Sequence, residues 1–307
     1  MRVLVFHPTD RGRSEMASTG KSSGESVTAN ARPVADFSVL LSVYDREVAA
    51  HLDSALQSVV DQTAPPSEIV LVHDGPLNAK LHSVIENHRH GPIPLVEVVL
   101  RQNQGLGGAL SIGLGRCRYD LVARMDADDI SKPERFEEQL RCFEADPSLA
   151  VVGSWVDEFL GRVDNVTGVR TTPETHEEIR EFAKRRSPVN HPAAMYKKSA
   201  VDAAGGYQAF HLNEDYYLWV RMLANGAKFY NIQQSLLFFR TSTDVFRRRG
   251  GVRYARQDIL MQRKMLHLGL VTPFEVLGNV LLRAPVRLLP NRIRALVYRY
   301  FLRTDPN

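Results

Sequence analysis

Three aspartates crowd one short stretch, Asp126, Asp128 and Asp129, in the run Arg-Met-Asp-Ala-Asp-Asp that follows the apolar segment Leu121 to Met125. Two carboxylates at i and i+2 on a loop leaving a buried strand turn into the same crevice. Like charges that close are costly unless a cation neutralises them. Carboxylate oxygens suit hard cations such as Mg²⁺ or Mn²⁺, which keep several waters and bridge to a substrate diphosphate. The local alternative is that Asp128 and Asp129 cap the helix that follows and Asp126 merely ends a strand.

Other residues could share that chemistry. Asp74, ahead of Gly75-Pro76, either accepts hydrogen bonds from the N–H edge of a base or opens an Asx turn. The turn Gln102-Asn103-Gln104-Gly105-Leu106-Gly107-Gly108 is no dinucleotide fingerprint, because Leu110 stands where GxGxxG needs its last glycine. Its glycines instead let backbone approach a ligand or a neighbouring helix closely. Glu214-Asp215 opens a helical segment, where acids stabilise the helix dipole by about 0.3–1 kcal/mol or place a general base at a crevice. The triple Arg247-Arg248-Arg249 suits bidentate phosphate contact, on a leaving diphosphate or on lipid headgroups. His191, in Asn190-His191-Pro192, is either structural or part of an acceptor site.

The elements that must position these groups form a regular alternation from Phe37 onward. Apolar runs at Phe37 to Val43, Ile69 to Val72, Leu95 to Leu100 and Leu121 to Met125 are strand-like. Between them, Val48, Leu52, Leu56 and Val59, then Leu81, Val84 and Ile85, then Leu110 and Leu114, recur at helical spacing. Ser131, Pro133 and Glu134 read as the start of a helix carrying Phe136, Leu140 and Phe143. Repeated strand–helix units predict right-handed crossovers and a mostly parallel α/β sheet flanked by helices. Ligands in such sheets bind beyond the carboxyl ends of the strands. Tyr44, Asp74, Arg101 to Gly105 and Asp126 to Asp129 all fall there.

After Val152 the pattern loosens. Asp157 to Thr172 is turn-rich, and a short helix near Glu177 to Lys184 is followed by a strand at Ala193 to Tyr196. A helix from Glu214 to Asn225, with Asn213 as N-cap and Gly226 closing it, precedes strands at Lys228 to Ile232 and Leu236 to Arg240. From Tyr254 the chain is helical, with breaks expected at Pro273, Pro285 and Pro290.

Composition narrows the class. The 307 residues are 44% apolar and 24% charged, as in an ordinary globular chain. Cys117 and Cys142 alone make no disulfide framework or CxxC knuckle, and no stretch is apolar enough to span a bilayer. Residues 247–307 hold 13 Lys and Arg against three acids, so a +10 tail follows a body of −6 within the overall +4. The expected division is a disordered leader over 1–34, a catalytic domain over 35–250 and a basic amphipathic helical extension over 251–307. The apolar stripes Phe274 to Leu282 and Leu288 to Phe301, interleaved with arginines, suit an anionic membrane interface or packing against the domain. A nucleic-acid partner is not expected, since no reader fold or stacking motif accompanies the basic tail.

Five segments in order, FSVLLSVYDRE, ALQSVVDQTAPPSEIVLVHDGP, NQGLGGAL, RMDADD and NEDYYLWVRML, together resemble a family 2 glycosyltransferase of the bacterial exopolysaccharide and amylovoran type. The resemblance runs from about Phe37 to Arg249. It implies a GT-A fold, a Rossmann-like nucleotide half joined to an acceptor half, and inversion at the anomeric centre. Carried over, it assigns Asp74 and Tyr44 to the base, Asp126 to the ribose, Asp128 to a divalent cation (Mn²⁺ or Mg²⁺), and Asp215, with Glu214 beside it, to deprotonation of the acceptor. Arg247 and Arg248 would meet the donor diphosphate. The expected partners are a nucleotide-sugar, probed first as a UDP-sugar, and a saccharide or lipid-linked acceptor, at the cytoplasmic face of a membrane. One departure stands out: relatives carry a His in a YRxH-like segment, where this chain reads Phe239-Arg240-Thr241-Ser242. The rival readings are a sugar-phosphate nucleotidyltransferase, which usually has a glycine-rich basic loop where this chain has Tyr44-Asp45-Arg46-Glu47, and a catalytically silent, membrane-associated binding module.

Overall fold

The computed structural model describes residues 35–210, 213–241 and 252–288, with side chains over 256–281 of the last stretch. The expected leader 1–34, Arg247, Arg248 and Arg249, and the apolar stripe from Ile293 to Phe301 lie outside the described residues.

One nine-stranded sheet organises the chain. Strands β1 (Phe37–Val43), β2 (Glu68–His73), β3 (Leu95–Val99) and β4 (Leu121–Asp126) run parallel in the order β3-β2-β1-β4. They are joined through α1 (Ala49–Val60), α2 (Ala79–Arg89) and α3 (Gly105–Leu114). The two-residue side-chain period of a strand sorts the core. Val39, Leu41, Ala123 and Met125 meet α1, α2 and α4 (Arg135–Ala145) on one face. Leu40, Val70, Val72 and Val122 meet α3 on the other.

The second half is antiparallel and mixed. β8 (Met195–Lys197) pairs antiparallel with both β4 and β6 (Leu149–Phe159), and β6 pairs parallel with β9 (Lys228–Arg240). Helices α5 (His176–Ala183), α6 (Lys198–Ala203) and α7 (Glu214–Ala224) complete it. Two C-terminal helices follow, α8 (Val252–His267) and α9 (Pro273–Leu288). Met261 and Met265 of α8 are buried in the same core cluster as Trp219 and Leu218 of α7.

Four expectations need correcting. Ser131 does not open a helix: Ile130–Ser131 is a short strand, β5, paired with Phe238 and Leu237 of β9, and α4 begins at Arg135. The pull is tertiary, since the Lys132 amide donates to the Leu236 carbonyl at 3.0 Å. The patch Asp157 to Thr172 is not all turn, because β6 runs through Phe159 and β7 (Val166–Arg170) returns along it, leaving the turn to Leu160 to Asn165. Lys228 to Ile232 and Leu236 to Arg240 are one strand, which absorbs its polar middle in register shifts opposite Ser154 and Trp155. Pro273 does separate two helices, but α9 continues through Pro285, within its last turn, to Leu288.

Candidate active site

Parallel pairing brings the carboxyl ends of β1, β2 and β4 to one edge. Ser42 is level with Asp126 and Val43 with His73, and the Asp74 amide donates to the Val43 carbonyl at 2.8 Å. Tyr44, 45% exposed, therefore borders the same crevice as Asp74 and the aspartate run. Asp74 is buried, and its Oδ1 accepts the Gln104 amide at 2.6 Å. That bond fixes the start of α3 to the end of β2 and orients the carboxylate. The two turns cross closely: Gly75 has φ +91°, and a Cβ there would lie 2.9 Å from the Asn103 nitrogen.

Asp126, Asp128 and Asp129 each turn a ligand atom to within 4.8 Å of the others. Asp126 pairs with Arg124 through Nη2, two residues back on the same face of β4. Burial, then the charges of Asp126 and Glu47, pushes Asp128 up to about 7. Asp129 is 0% exposed, and burial with the same crowding holds its carboxyl well above the usual range. Its Oδ1 accepts the Arg240 amide at 2.8 Å, while its Oδ2 has no partner among the described residues. Arg240 also donates from Nε to the Asp128 carbonyl at 2.8 Å. The end of β9 thus buttresses the aspartate loop through Arg240.

Three crowded carboxylates, two of them raised by burial and repulsion, with one buried oxygen unmatched, form a donor set that a hard divalent cation fits. Among the described residues, Arg124 is the only side-chain cation in an ion pair with them.

Helix α7 begins with Glu214 and Asp215 in its first turn, as expected; Asn213 holds the N-cap position without a side-chain cap bond. A Cβ on Gly107 would lie 3.0 Å from Glu214 Cγ, so the glycine-rich start of α3 admits α7 closely, one of the two roles expected of those glycines. Arg221 donates to the Ala204 and Gly206 carbonyls, tethering the Gly205-Gly206 turn to α7. That turn leads to Tyr207, whose hydroxyl bonds His191 Nε2 at 2.9 Å and the Tyr196 hydroxyl at 3.2 Å. Burial, and then the Arg124 charge, holds the His191 pKa well below its ordinary value, so the ring is neutral. Burial raises the Tyr207 hydroxyl, and the charges of Arg124, Asp215 and Asp126 all act on it. Tyr207 therefore stands near both the β4 acids and α7.

The sequence singled out Tyr44, Asp74, Asp126, Asp128, Asp129, Glu214, Asp215 and His191 among the described residues, and Arg247 and Arg248 outside them. Tyr196, Tyr207 and the buttressing role of Arg240 went unremarked.

Residues 38–205 match the profile of glycosyl transferase family 2, and the chain belongs to that family. It is 36% identical over 267 residues to the UDP-Gal:alpha-D-GlcNAc-diphosphoundecaprenol beta-1,3-galactosyltransferase of Escherichia coli, covering 87% of this chain and 96% of that protein. It is also 36% identical over 264 residues to the amylovoran biosynthesis glycosyltransferase AmsE of Erwinia amylovora, covering 85% and 97%. The mannosyltransferase PcManGT from Pyrobaculum calidifontis, solved in complex with GDP-Man and Mn²⁺, superposes with a TM-score of 0.60 at 16% identity, covering 86% of this chain and 75% of that one. The fold is thus the GT-A fold and the protein a glycosyltransferase, with relatives in polysaccharide and lipid-linked sugar assembly.

Proposed function

We propose that this enzyme moves a sugar from a UDP-sugar to a hydroxyl of a lipid-linked saccharide, with inversion. The observation that carries the reading is the carboxylate cluster at the end of β4, on the edge shared with Asp74. Asp74 and Tyr44 bind the base, and Asp126 binds the ribose. Asp128, with Asp126 and the unmatched oxygen of Asp129 beside it, would hold Mn²⁺ or Mg²⁺. Such an ion supplies Lewis-acid stabilisation of the diphosphate. Asp215 accepts the proton of the acceptor hydroxyl from the first turn of α7, where the helix dipole favours negative charge. The acceptor oxygen bonds to the anomeric carbon as the bond from that carbon to the phosphate oxygen breaks. The attack comes from the face opposite the leaving UDP, and one displacement inverts the centre. Glu214 packs against Gly107 and keeps α7 against α3. Arg247 and Arg248 are proposed to meet the donor diphosphate.

Residues 35–250 would carry this chemistry, and the helices from 251 onward would bring it to an anionic membrane at the cytoplasmic face. The surface of α9 supports that: Phe274 is 87% exposed, with Leu277 and Leu281 on the same side, while Asn279 is buried. Asn279 donates to the Lys184 carbonyl at 3.1 Å and to Gln262 at 3.0 Å. A helix that buries its amide and exposes its phenylalanine has an outward face suited to a lipid interface. No helix among the described residues is long and apolar enough to cross a membrane.

The test is transfer itself. UDP-sugars are incubated with a diphospholipid-linked monosaccharide with and without Mn²⁺, and the product linkage is read by NMR. An inverted product formed only with the cation is expected. Retention, or no transfer from any nucleotide-sugar, would overturn the proposal. For the membrane, wild type should float with vesicles containing phosphatidylglycerol and a Phe274→Glu, Leu277→Glu variant should not; equal flotation would contradict the assignment.

A further inference from the structure

The chemistry above gives no role to Arg124, yet its setting is costly. It lies inside β4, 1% exposed, level with Leu40 of β1. A buried guanidinium loses its hydration and survives as a cation only when paired. Burial works against its charge; the charge of Asp126, then the hydrogen bond to it, more than offsets that and raises its pKa.

Arg135 offers an internal contrast. It too is 0% exposed, but its donors reach Gln139 at 3.2 Å, Ser131 at 3.1 Å and the carbonyls of Arg124 at 2.7 Å and Ala194 at 3.3 Å. Those bonds tie α4 to the sheet, which is a framework role. Arg124 does the opposite. Its one side-chain bond goes to Asp126, and its Nε and Nη1 have no partner among the described residues. An arginine kept for packing would satisfy its donors on nearby carbonyls, as Arg135 does.

We infer that Arg124 is a positioning residue for sugar transfer: it holds the Asp126 carboxylate in the rotamer that faces the donor, and sets one positive charge against the crowding of Asp126, Asp128 and Asp129. Because Arg124 and Asp126 share one face of a central strand, the pair is set by the backbone before any ligand arrives. Such preorganisation shows in the donor and not in the acceptor. The inference rests on the donor reading above.

The experiment is a double-mutant cycle of Arg124→Met and Asp126→Asn, with donor and acceptor kinetics, UDP titration calorimetry in Mn²⁺ and thermal melts. Arg124→Met is expected to lower kcat/KM for the donor about 100-fold in the wild-type background and less than about threefold once Asp126 is Asn. Acceptor KM stays unchanged, and Arg124→Lys recovers part of the loss. Equal losses in both backgrounds, or a loss confined to acceptor KM, overturn the inference. Where Arg124→Met does not fold, the same cycle with Arg124→Lys decides by the same criterion of coupling against additivity. A wild type that binds no UDP overturns the donor reading and this inference with it. A wild type that binds and transfers while the losses simply multiply overturns this inference alone.

Discussion

The two halves of the molecule hold their polar groups in opposite ways. In the half built from β1 to β4, charge collects at the strand ends and is left incompletely matched: three acids share one place, and a buried Asp129 oxygen has no partner among the described residues. In the half built around β6, β8, β9 and α7, the side chains Tyr196, Tyr207 and His191 are neutral and bonded to one another, although Trp219 Nε1 and Arg221 Nε of α7 have no partner among the described residues. His191 and Tyr196 both bond the Tyr207 hydroxyl, with Trp219 packed edge-on to His191 and Tyr196. Crowded, unmatched charge favours a ligand, whereas neutral side chains bonded to one another hold their places without one. The first half should therefore answer to cation and nucleotide, and the second to the identity of a few side chains, with His191 adding a pH dependence of its own.

The sharpest way to break that contrast is to remove the proton acceptor. Asp215→Asn should lower kcat by about 10²–10⁴-fold while UDP affinity stays close to wild type. A parallel loss of UDP binding in calorimetry would show that Asp215 belongs to the donor half instead.

A smaller effect is expected at Asp74. Asp74→Ala removes a contact to the base and the bond to the Gln104 amide, so UDP binding should weaken by about 10- to 100-fold, the worth of one charge-assisted hydrogen bond. Saturating UDP-sugar should restore most of kcat. An unchanged affinity would limit Asp74 to tethering α3.

The smallest effect sharpens the second half. His191 is held neutral when folded, with its pKa well below 6.5, so the unfolded chain binds the extra proton. Its contribution is present above pH 6.5 and is lost as pH falls below that value. Wild type should lose up to about 1.4 kcal/mol per pH unit in that window from this one proton. His191→Gln, which can still bond Tyr207, should lack that component in urea titrations between pH 7 and 5. Identical slopes would mean that His191 is charged or exposed in the fold.

The same contrast explains what the sequence revealed. Strands β1 to β4 and their helices are local units, each marked by its own periodicity, so Phe37 to Val43 and Leu121 to Met125 could be read directly. The acids at their ends inherit a common edge from parallel pairing alone. The other half depends on partners distant in the chain. β6 is buried along most of its length and shows no alternation, β7 exists because β6 pairs with it, and Ser131 is drawn into β9 across about a hundred residues. Tyr196 and Tyr207 resemble any core tyrosine until the fold brings their hydroxyls together with His191. Asp74 takes an unforeseen role in place of the Asx turn, since its carboxylate receives a backbone amide from the turn before α3 and not from its own.

Donor binding depends above all on whether the acids at the end of β4 gather a cation for the nucleotide. The direct measurement is calorimetric titration of UDP into wild type and Asp128→Asn, each with and without Mn²⁺. Wild type should gain at least about tenfold in UDP affinity when Mn²⁺ is added, and Asp128→Asn should gain nothing while remaining folded. Equal affinities in all four titrations would contradict the central claim.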